Sequence, residues 1–183
     1  MIENFKICPM CGSKNITFPK GRKWYCPECG FDLYKNIAAA VGVIIQDKYN
    51  NVLFEVRAKE PRKGYVALPG GFVDADESAE SAIIRECKEE MGIEVTNPHF
   101  VCTNPNTYPY ADIEYKTCDI FFTVELPSEF NTIEDYIKTL HAQESEVVGF
   151  KSYKLETLED INNIPLAFES ARKTLETFVK NRK

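Results

Sequence analysis

Runs of apolar residues along the chain predict the strands of a sheet. Residues 37–46 form a run of small and β-branched apolar residues that ends in Gln46, and residues 52–57 alternate valine and phenylalanine with leucine, glutamate and arginine. Both patterns are typical of β-strands, and the Asp- and Asn-containing stretch 47–51 predicts the turn between them. Residues 113–125 predict a further strand, while the prolines and tyrosines of residues 101–112 predict a rigid loop before it.

Periodic apolar positions predict helices in the remaining segments. Residues 77–91 carry an apolar side chain at every fourth position, and Gly92 is placed to end that helix. Residues 131–140 form a short amphipathic pattern with Asn or Thr as the cap. We expect the last helix to start at Pro165, because proline is favoured in the first helical turn. Its predicted buried stripe consists of Phe168, Ala171, Leu175 and Phe178.

Composition excludes a disordered chain and a membrane-spanning one. Of the 183 residues, 44% are hydrophobic, enough apolar surface to offset the chain entropy lost on folding. No apolar run approaches the ~20 residues that a transmembrane helix needs. The first residues include an acidic side chain and no apolar segment typical of a signal peptide. We therefore predict a cytoplasmic protein without a membrane partner.

Charge is unevenly distributed, which suggests two modules. Residues 1–36 contain six of the 22 basic and three of the 28 acidic residues, a net charge of +3, which leaves −9 for the remainder. We predict a small first domain over residues 1–36 and a larger one over residues 37–183. A solvated basic face on a small module is the alternative explanation of this charge.

The small domain contains two Cys-x-x-Cys pairs, each followed by glycine and separated by 14 residues. Two such pairs place four soft thiolates around one centre, which suits structural Zn²⁺ better than a hard cation. The segments on either side of residues 19–22 predict a hairpin between the pairs. This arrangement resembles a zinc ribbon with Cys8, Cys11, Cys26 and Cys29 as ligands. Such a module serves packing or dimerisation, or contacts nucleic acid through its basic and aromatic residues.

The helix at residues 77–91 presents three glutamates on one narrow sector. Glu86, Glu89 and Glu90 are related by three and four positions, so their like charges destabilise the helix unless something compensates. Hard divalent cations such as Mg²⁺ or Mn²⁺ bind carboxylate oxygens together with substrate phosphates. A solvated acidic face is the alternative explanation of the same three residues.

The surrounding sequence favours the metal site, because it matches a longer pattern. The residues Pro-Gly-Gly precede the helix, and fixed positions follow at Gly71, Glu77, Arg85, Glu86, Glu89, Glu90, Gly92 and Ile93. This pattern resembles the Nudix hydrolase family, with Cys87 as a mild departure at an aliphatic position. The resemblance implies an α/β/α sandwich around a mixed sheet, preceded here by the zinc ribbon.

The resemblance also implies a reaction and a role for each residue. Glu86, Glu89, Glu90 and the Gly71 carbonyl would bind Mg²⁺ or Mn²⁺, Arg85 would hold a glutamate by a bidentate bond, and Glu77 would support them. Water would attack a phosphorus of a diphosphate linkage. Glu146, or Glu144 in the same acidic loop, is the candidate general base outside the motif.

The sequence defines the identity of the substrate less narrowly than the type of reaction. Tyr108 and Tyr110 are candidates for stacking on a nucleobase, although they could equally pack on their own strand, and Arg57 is a further candidate for substrate binding. A zinc ribbon before a Nudix domain is the architecture of NADH pyrophosphatases, which implies NAD(H), ADP-ribose or a similar dinucleotide; nucleoside triphosphates stay open.

Partners and the competing class of function also stay open at this point. A nucleotide-type small molecule is the partner that the resemblance implies, while a homodimer and a nucleic-acid partner remain alternatives. A non-catalytic nucleotide sensor that uses the zinc ribbon to bind nucleic acid is the competing function. The intact set of metal carboxylates favours the enzyme.

Overall fold

The computed structural model describes residues 5–110 and 113–182 of the chain. Its strands and helices, in chain order, are β1 (Lys23–Tyr25), β2 (Asp32–Tyr34), β3 (Ala38–Gln46), β4 (Asn51–Arg57), β5 (Val66–Ala67), α1 (Ala79–Met91), β6 (His99–Tyr110), β7 (Ile113–Glu125), α2 (Ile133–Ile137), β8 (Val147–Lys154) and α3 (Glu169–Asn181). None of the helices in the described residues has the length and apolar character required to span a bilayer.

A mixed sheet forms the centre of the larger part of the chain. In the described residues six strands take part, in the order β5-β4-β3-β7-β6, with β8 on β4. Strand β3 lies parallel to β7 over its whole length, whereas the other pairs are antiparallel. Strand β3 lies in the centre of the sheet and both of its faces are covered, which explains why it is apolar almost throughout.

Helices cover both faces of this sheet. On one face α1 and α2 pack on β3 and β7 through residues such as Val43, Ile83 and Phe122. On the other face α3 packs through Ala171 and Leu175 on residues such as Phe54. The α/β/α sandwich predicted from the sequence is therefore confirmed.

The segment before β7 was predicted to be a loop, and that prediction is wrong. Residues His99–Tyr110 form β6, which pairs antiparallel with β7 along almost its entire length. Strand β6 is at the edge of the sheet, next to β7. Among the described residues no strand of the sheet lies on its outer side, so Pro105 and Pro109 break no hydrogen bonds to a further strand there. Prolines in this segment therefore mark an edge strand and not a loop.

Helix boundaries differ from the sequence prediction by a few residues. Helix α1 begins at Ala79, because Ser78 has extended backbone angles and its side chain accepts the Ser81 N–H as a cap. Gly92 ends α1 with φ of 72°, as the pattern predicted. Helix α3 begins at Glu169 and not at Pro165, whose carbonyl instead accepts the Val66 N–H.

The N-terminal residues form a small two-stranded unit, with a difference from the predicted hairpin. Strand β1 pairs antiparallel with β2, which follows the second cysteine pair. The predicted first arm is reduced to one bridge between Thr17 and Tyr25, after which residues Pro19–Gly21 form a 3₁₀ turn. The prediction is thus correct for the arm that forms β1, but the strand that pairs with β1 is β2 and not the segment before residue 19.

Candidate active site and metal sites

The glycine pair before α1 lies directly against β3. The Gly71 carbonyl accepts the Val41 N–H at 2.8 Å, which holds the turn beside the strand. At Gly70, where φ is 138°, a Cβ would lie 2.3 Å from the Val41 carbonyl oxygen. At Gly71 a Cβ would lie 2.5 Å from Glu86 Oε1. Both positions therefore require glycine, the first for backbone contact and the second for the approach of a carboxylate.

Arg85 organises the acidic face of α1. Its guanidinium forms a bidentate pair with Glu77, with Nε–Oε1 and Nη2–Oε2 distances of 3.1 and 3.0 Å. Nη1 also donates to Glu86 at 2.8 Å and to Glu89 at 3.2 Å, and Nη2 donates to the Phe72 carbonyl. The Arg85 hydrogen bonds lower the pKa of Glu77, while burial raises the pKa of Glu86.

Glu90 is the most buried of the three helix glutamates, and it contacts a carboxyl group that the sequence did not single out. Gly70 N donates to Glu90 Oε2 at 2.8 Å. Glu55, on β4, is 2% exposed and its carboxyl group contacts that of Glu90. Burial raises the pKa of both groups, and the charge of Glu90 adds to the rise at Glu55, whereas the charges of Glu86 and Glu146 add to the rise at Glu90.

These residues line a cavity of about 350 Å³. Glu55, Glu86, Glu89 and Glu90 contribute to it together with Gly70, Gly71 and Arg85. The three helix glutamates are therefore gathered at one cavity beside the glycine turn, although Glu89 keeps about half of its side chain exposed. A volume of this size lies within the range of small-molecule sites.

Another part of the same cavity is aromatic and cationic. Arg57 Nη2 donates to the Tyr108 hydroxyl at 3.5 Å, and the guanidinium lies 5.0 Å from the centre of the Phe168 ring. Tyr108 contacts both Phe168 and Phe72, with ring centres 5.5 Å apart in each pair. Both Arg57 and Tyr108 thus line the cavity, as candidates for substrate binding should.

A buried polar cluster also faces the cavity. Asp119 on β7 accepts the Thr117 hydroxyl at 2.5 Å and the Ser170 hydroxyl at 2.6 Å. All three residues line the cavity with Asn106 of β6. This cluster offers a carboxylate and an amide to polar groups of a ligand.

The acidic loop before β8 reaches the rim of the cavity through one of its two candidate glutamates. Glu146 contributes to the lining, and its Oε1 pairs with Lys59 Nζ at 2.6 Å. Glu144 is exposed and does not contribute. The position of Glu146 makes it the better candidate of the pair. Tyr110 is the last residue of β6, and its side chain lies outside the described residues.

The donors around the cavity suit a hard divalent cation. Carboxylate oxygens and a backbone carbonyl are the ligands that Mg²⁺ and Mn²⁺ prefer, and the Gly71 carbonyl keeps a lone pair beside its bond to Val41. A buried oxygen, Glu55 Oε2, has no hydrogen-bond partner within residues 5–110 and 113–182. The three helix glutamates are less closely gathered than a formed metal site, because Arg85 holds an oxygen of Glu86 and one of Glu89.

The cysteine pairs converge as the sequence predicts. Across the part of the chain that is described, the four cysteines are the one group of potential ligands whose donor atoms all lie within 4.8 Å of one another. The Sγ atoms of Cys8 and Cys29 are 3.6 Å apart, and those of Cys11 and Cys26 are 3.7 Å apart. Four converging thiols are consistent with a zinc ribbon.

Sequence reasoning missed several residues of the cavity. In the sequence Glu55 was only one position of an alternating strand, yet β4 is covered on both sides and Glu55 is buried. A charged residue in an otherwise buried strand is the signal that could have identified it. Asp119 carries the same signal on β7. Phe168 carries none, because it reaches the cavity from the residue before α3.

Comparison with known proteins connects this cavity to a family. The family model described as NUDIX domain matches residues 36–178. A NUDIX hydrolase structure from Nitrosomonas europaea superposes with a TM-score of 0.64 at 23% identity, covering 97% of this chain and 92% of that one. At this level of identity the superposition establishes the fold alone.

Two curated proteins are similar in sequence. The NAD-capped RNA hydrolase NudC of Vibrio vulnificus is 28% identical over 137 residues, which are 74% of this chain and 51% of that protein. The ADP-ribose pyrophosphatase of Methanocaldococcus jannaschii is 48% identical over 63 residues, 34% of this chain and 37% of that protein. The chain thus spans about half the length, or less, of these relatives. Together, the family match, the fold and the residues around the cavity establish that the chain belongs to the NUDIX domain family.

Proposed function

We propose that the protein is a divalent-metal-dependent pyrophosphohydrolase that cleaves the diphosphate linkage of a nucleoside diphosphate derivative. One observation carries the proposal: a single cavity joins the glutamates of α1 and the glycine turn to the aromatic and cationic residues Arg57, Tyr108 and Phe168. The acidic part suits a metal-bound diphosphate, and the aromatic part suits a nucleobase or ribose.

The names of the relatives support a dinucleotide substrate. One similar protein is an NAD-capped RNA hydrolase and another an ADP-ribose pyrophosphatase. NAD(H) and ADP-ribose each contain a diphosphate between two organic groups. We therefore infer that NAD(H), ADP-ribose or a similar dinucleotide is the substrate class.

Each residue of the site has a distinct part in the proposed reaction. Gly70 orients Glu90 through its N–H, and Arg85 orients Glu77, Glu86 and Glu89. Divalent cations held by Glu86, Glu89, Glu90 and the Gly71 carbonyl would supply charge neutralisation of the diphosphate and a water of lowered pKa. Glu146, at the rim, is positioned to accept a proton from the attacking water.

Binding of the organic groups is proposed for Arg57 and Tyr108, and for Tyr110 on the sequence pattern alone. A base that stacks on Tyr108 would also lie near the Arg57 guanidinium, which contacts the Tyr108 hydroxyl and the Phe168 ring. The Asn106 amide would donate hydrogen bonds to, or accept them from, ribose hydroxyls or base edges, and the Asp119 carboxylate would accept them.

We further propose that residues 1–36 are a zinc-binding module and residues 37–183 the hydrolase unit. The converging cysteine sulfurs support the first part, and the family match starting at residue 36 supports the second. A closed set of four thiolates leaves no position for substrate, so this zinc would be structural.

The proposal is tested by a hydrolysis screen with added Mg²⁺ or Mn²⁺. NADH, NAD⁺, ADP-ribose, diadenosine polyphosphates and nucleoside triphosphates are incubated with the full chain, and the products are separated by chromatography. We expect metal-dependent release of nucleoside monophosphate from NADH or ADP-ribose. Binding of these compounds without hydrolysis would instead support the nucleotide sensor.

A further inference from the structure

Glu55 is a carboxyl group buried where none of the proposed roles requires one. It lies in β4, directly after the buried residues Leu53 and Phe54 in the chain, and it lines the cavity. Its Oε2 atom is buried and makes no hydrogen bond to any described residue. Such an orphaned oxygen costs free energy, so its presence in a well-packed strand requires an explanation.

The surroundings of Glu55 add negative charge. Its carboxyl group contacts Glu90, and Glu86 also contributes repulsion. Arg57 is the cation that acts on it, but the Arg57 guanidinium donates to the Pro61 carbonyl and the Tyr108 hydroxyl. Two carboxylates in contact are stable together in a buried site when a shared cation lies between them or a proton is shared.

We propose that Glu55 is a further ligand of a divalent cation, which it shares with Glu90. The inference rests on the proposed metal-dependent function and adds to it a carboxylate from β4, outside the glutamate cluster of α1. The cation is of the hard class, Mg²⁺ or Mn²⁺, because the donors are carboxylate oxygens.

This arrangement explains two features of the cavity at once. A cation at this position satisfies the orphaned Glu55 oxygen and removes the repulsion with Glu90. It also links β4 to α1, two elements that approach the cavity from different parts of the fold. Glu90 is already fixed on one side by the Gly70 N–H, so the pair presents an organised site.

The test is Mn²⁺ binding to the full chain, measured by electron paramagnetic resonance of free Mn²⁺ and without substrate. Glu55→Gln keeps the shape of the side chain but removes its charge. We expect its Mn²⁺ affinity to fall at least about tenfold, since even loss of an outer partner of a metal ligand has that effect. Asp119→Asn is the matched control, because it removes a negative charge from the same cavity at a residue that contacts Thr117 and Ser170.

A second measurement covers the case in which Glu55→Gln alters folding. Mn²⁺ should raise the melting temperature of the wild type and of Asp119→Asn, but raise that of Glu55→Gln less, because only metal bound to the native state stabilises it. Wild-type affinity in Glu55→Gln, with affinity lost in Glu90→Gln, would overturn the role of Glu55 and leave the proposed function intact. A wild-type chain that binds no Mn²⁺ would overturn both.

Discussion

At the scale of single residues, the site depends on close approaches that only particular side chains permit. Arg85 is the clearest case, since one guanidinium contacts Glu77, Glu86 and Glu89 and so compensates the like charges along α1. The spacing in the sequence predicted that Glu86, Glu89 and Glu90 share a face. It did not predict that Arg85 would occupy oxygens of Glu86 and Glu89, because side-chain pairing depends on rotamers and not on register.

The two glycines of the turn should respond differently to alanine. In Gly70→Ala the new Cβ meets the Val41 backbone at a positive φ, so we expect a loss of about 3 kcal/mol in the free energy of unfolding. In Gly71→Ala the Cβ meets the Glu86 carboxylate, which can move aside, so activity should fall by about 10²-fold with little loss of stability. Urea denaturation and initial rates of both variants check this contrast. Equal losses of stability in the two variants would contradict it.

Glu55 and Asp119 show where residue-level prediction from sequence ends. Both are acidic residues in apolar strands, and both line the cavity. Alternation along residues 52–57 gave Glu55 no role, but the sheet is covered on both sides, so an acidic residue there marks the site and not a solvent-facing position. Charged residues within strands that are buried on both faces are therefore candidates for function.

At the scale of elements, most strands and helices followed from apolar patterning, and the exceptions have a common cause. Strand β6 was read as a loop because its prolines normally break a ladder, yet an edge strand tolerates them. Likewise β2, with its exposed residues, has no apolar pattern to identify it. Tertiary position, which the local sequence does not encode, decided both cases.

The turn between β3 and β4 is joined to α2 by one buried carboxylate. Asp47 accepts the N–H groups of Tyr49 and Asn51 at 2.9 Å and that of Ile133, at the start of α2, at 3.0 Å. Burial alone would raise the pKa of Asp47, but the hydrogen bonds from Asn51, Ile133 and Tyr49 outweigh it and lower the pKa.

Asp47→Asn should therefore reduce stability at neutral pH. A lowered pKa in the folded state contributes stability above about pH 4 and loses it as the pH falls through the folded-state value. We expect the substitution to lower the free energy of unfolding by about 1–3 kcal/mol at pH 7, and by less near pH 3. Urea midpoints at both pH values check this, with the exposed Glu129→Gln as control. A midpoint at pH 7 equal to that of the control would contradict it.

At the scale of the whole molecule, the fold brings together parts of the chain that lie far apart in sequence. The cavity combines β4, the glycine turn, α1, β7 and the start of α3. The sequence predicted the glutamates of α1, because they fall within one short motif. On the substrate-binding side of the cavity, the sequence identified Arg57 and the tyrosines as candidates. It did not identify Phe168 and Ser170, because they reach the cavity from the start of the last helix.

The zinc-binding module provides an independent prediction. The purified protein should contain one zinc per chain, and Cys26→Ser should lose it, because Cys26 is buried among the four sulfurs. Elemental analysis measures this, with Cys118→Ser on β7 as the control that keeps the metal. A folded wild-type chain without zinc would show that the four thiols have another role.

The central claim is that the glutamates at the cavity support metal-dependent cleavage of a diphosphate, and Glu90→Gln tests it most directly. The measurement is kcat for the best substrate of the screen at saturating Mg²⁺, compared with wild type and with Glu80→Gln, an exposed residue of the same helix. We predict that kcat falls by at least about 10²–10³-fold in Glu90→Gln and stays at the wild-type value in Glu80→Gln. Equal kcat in the wild type and Glu90→Gln would contradict the account.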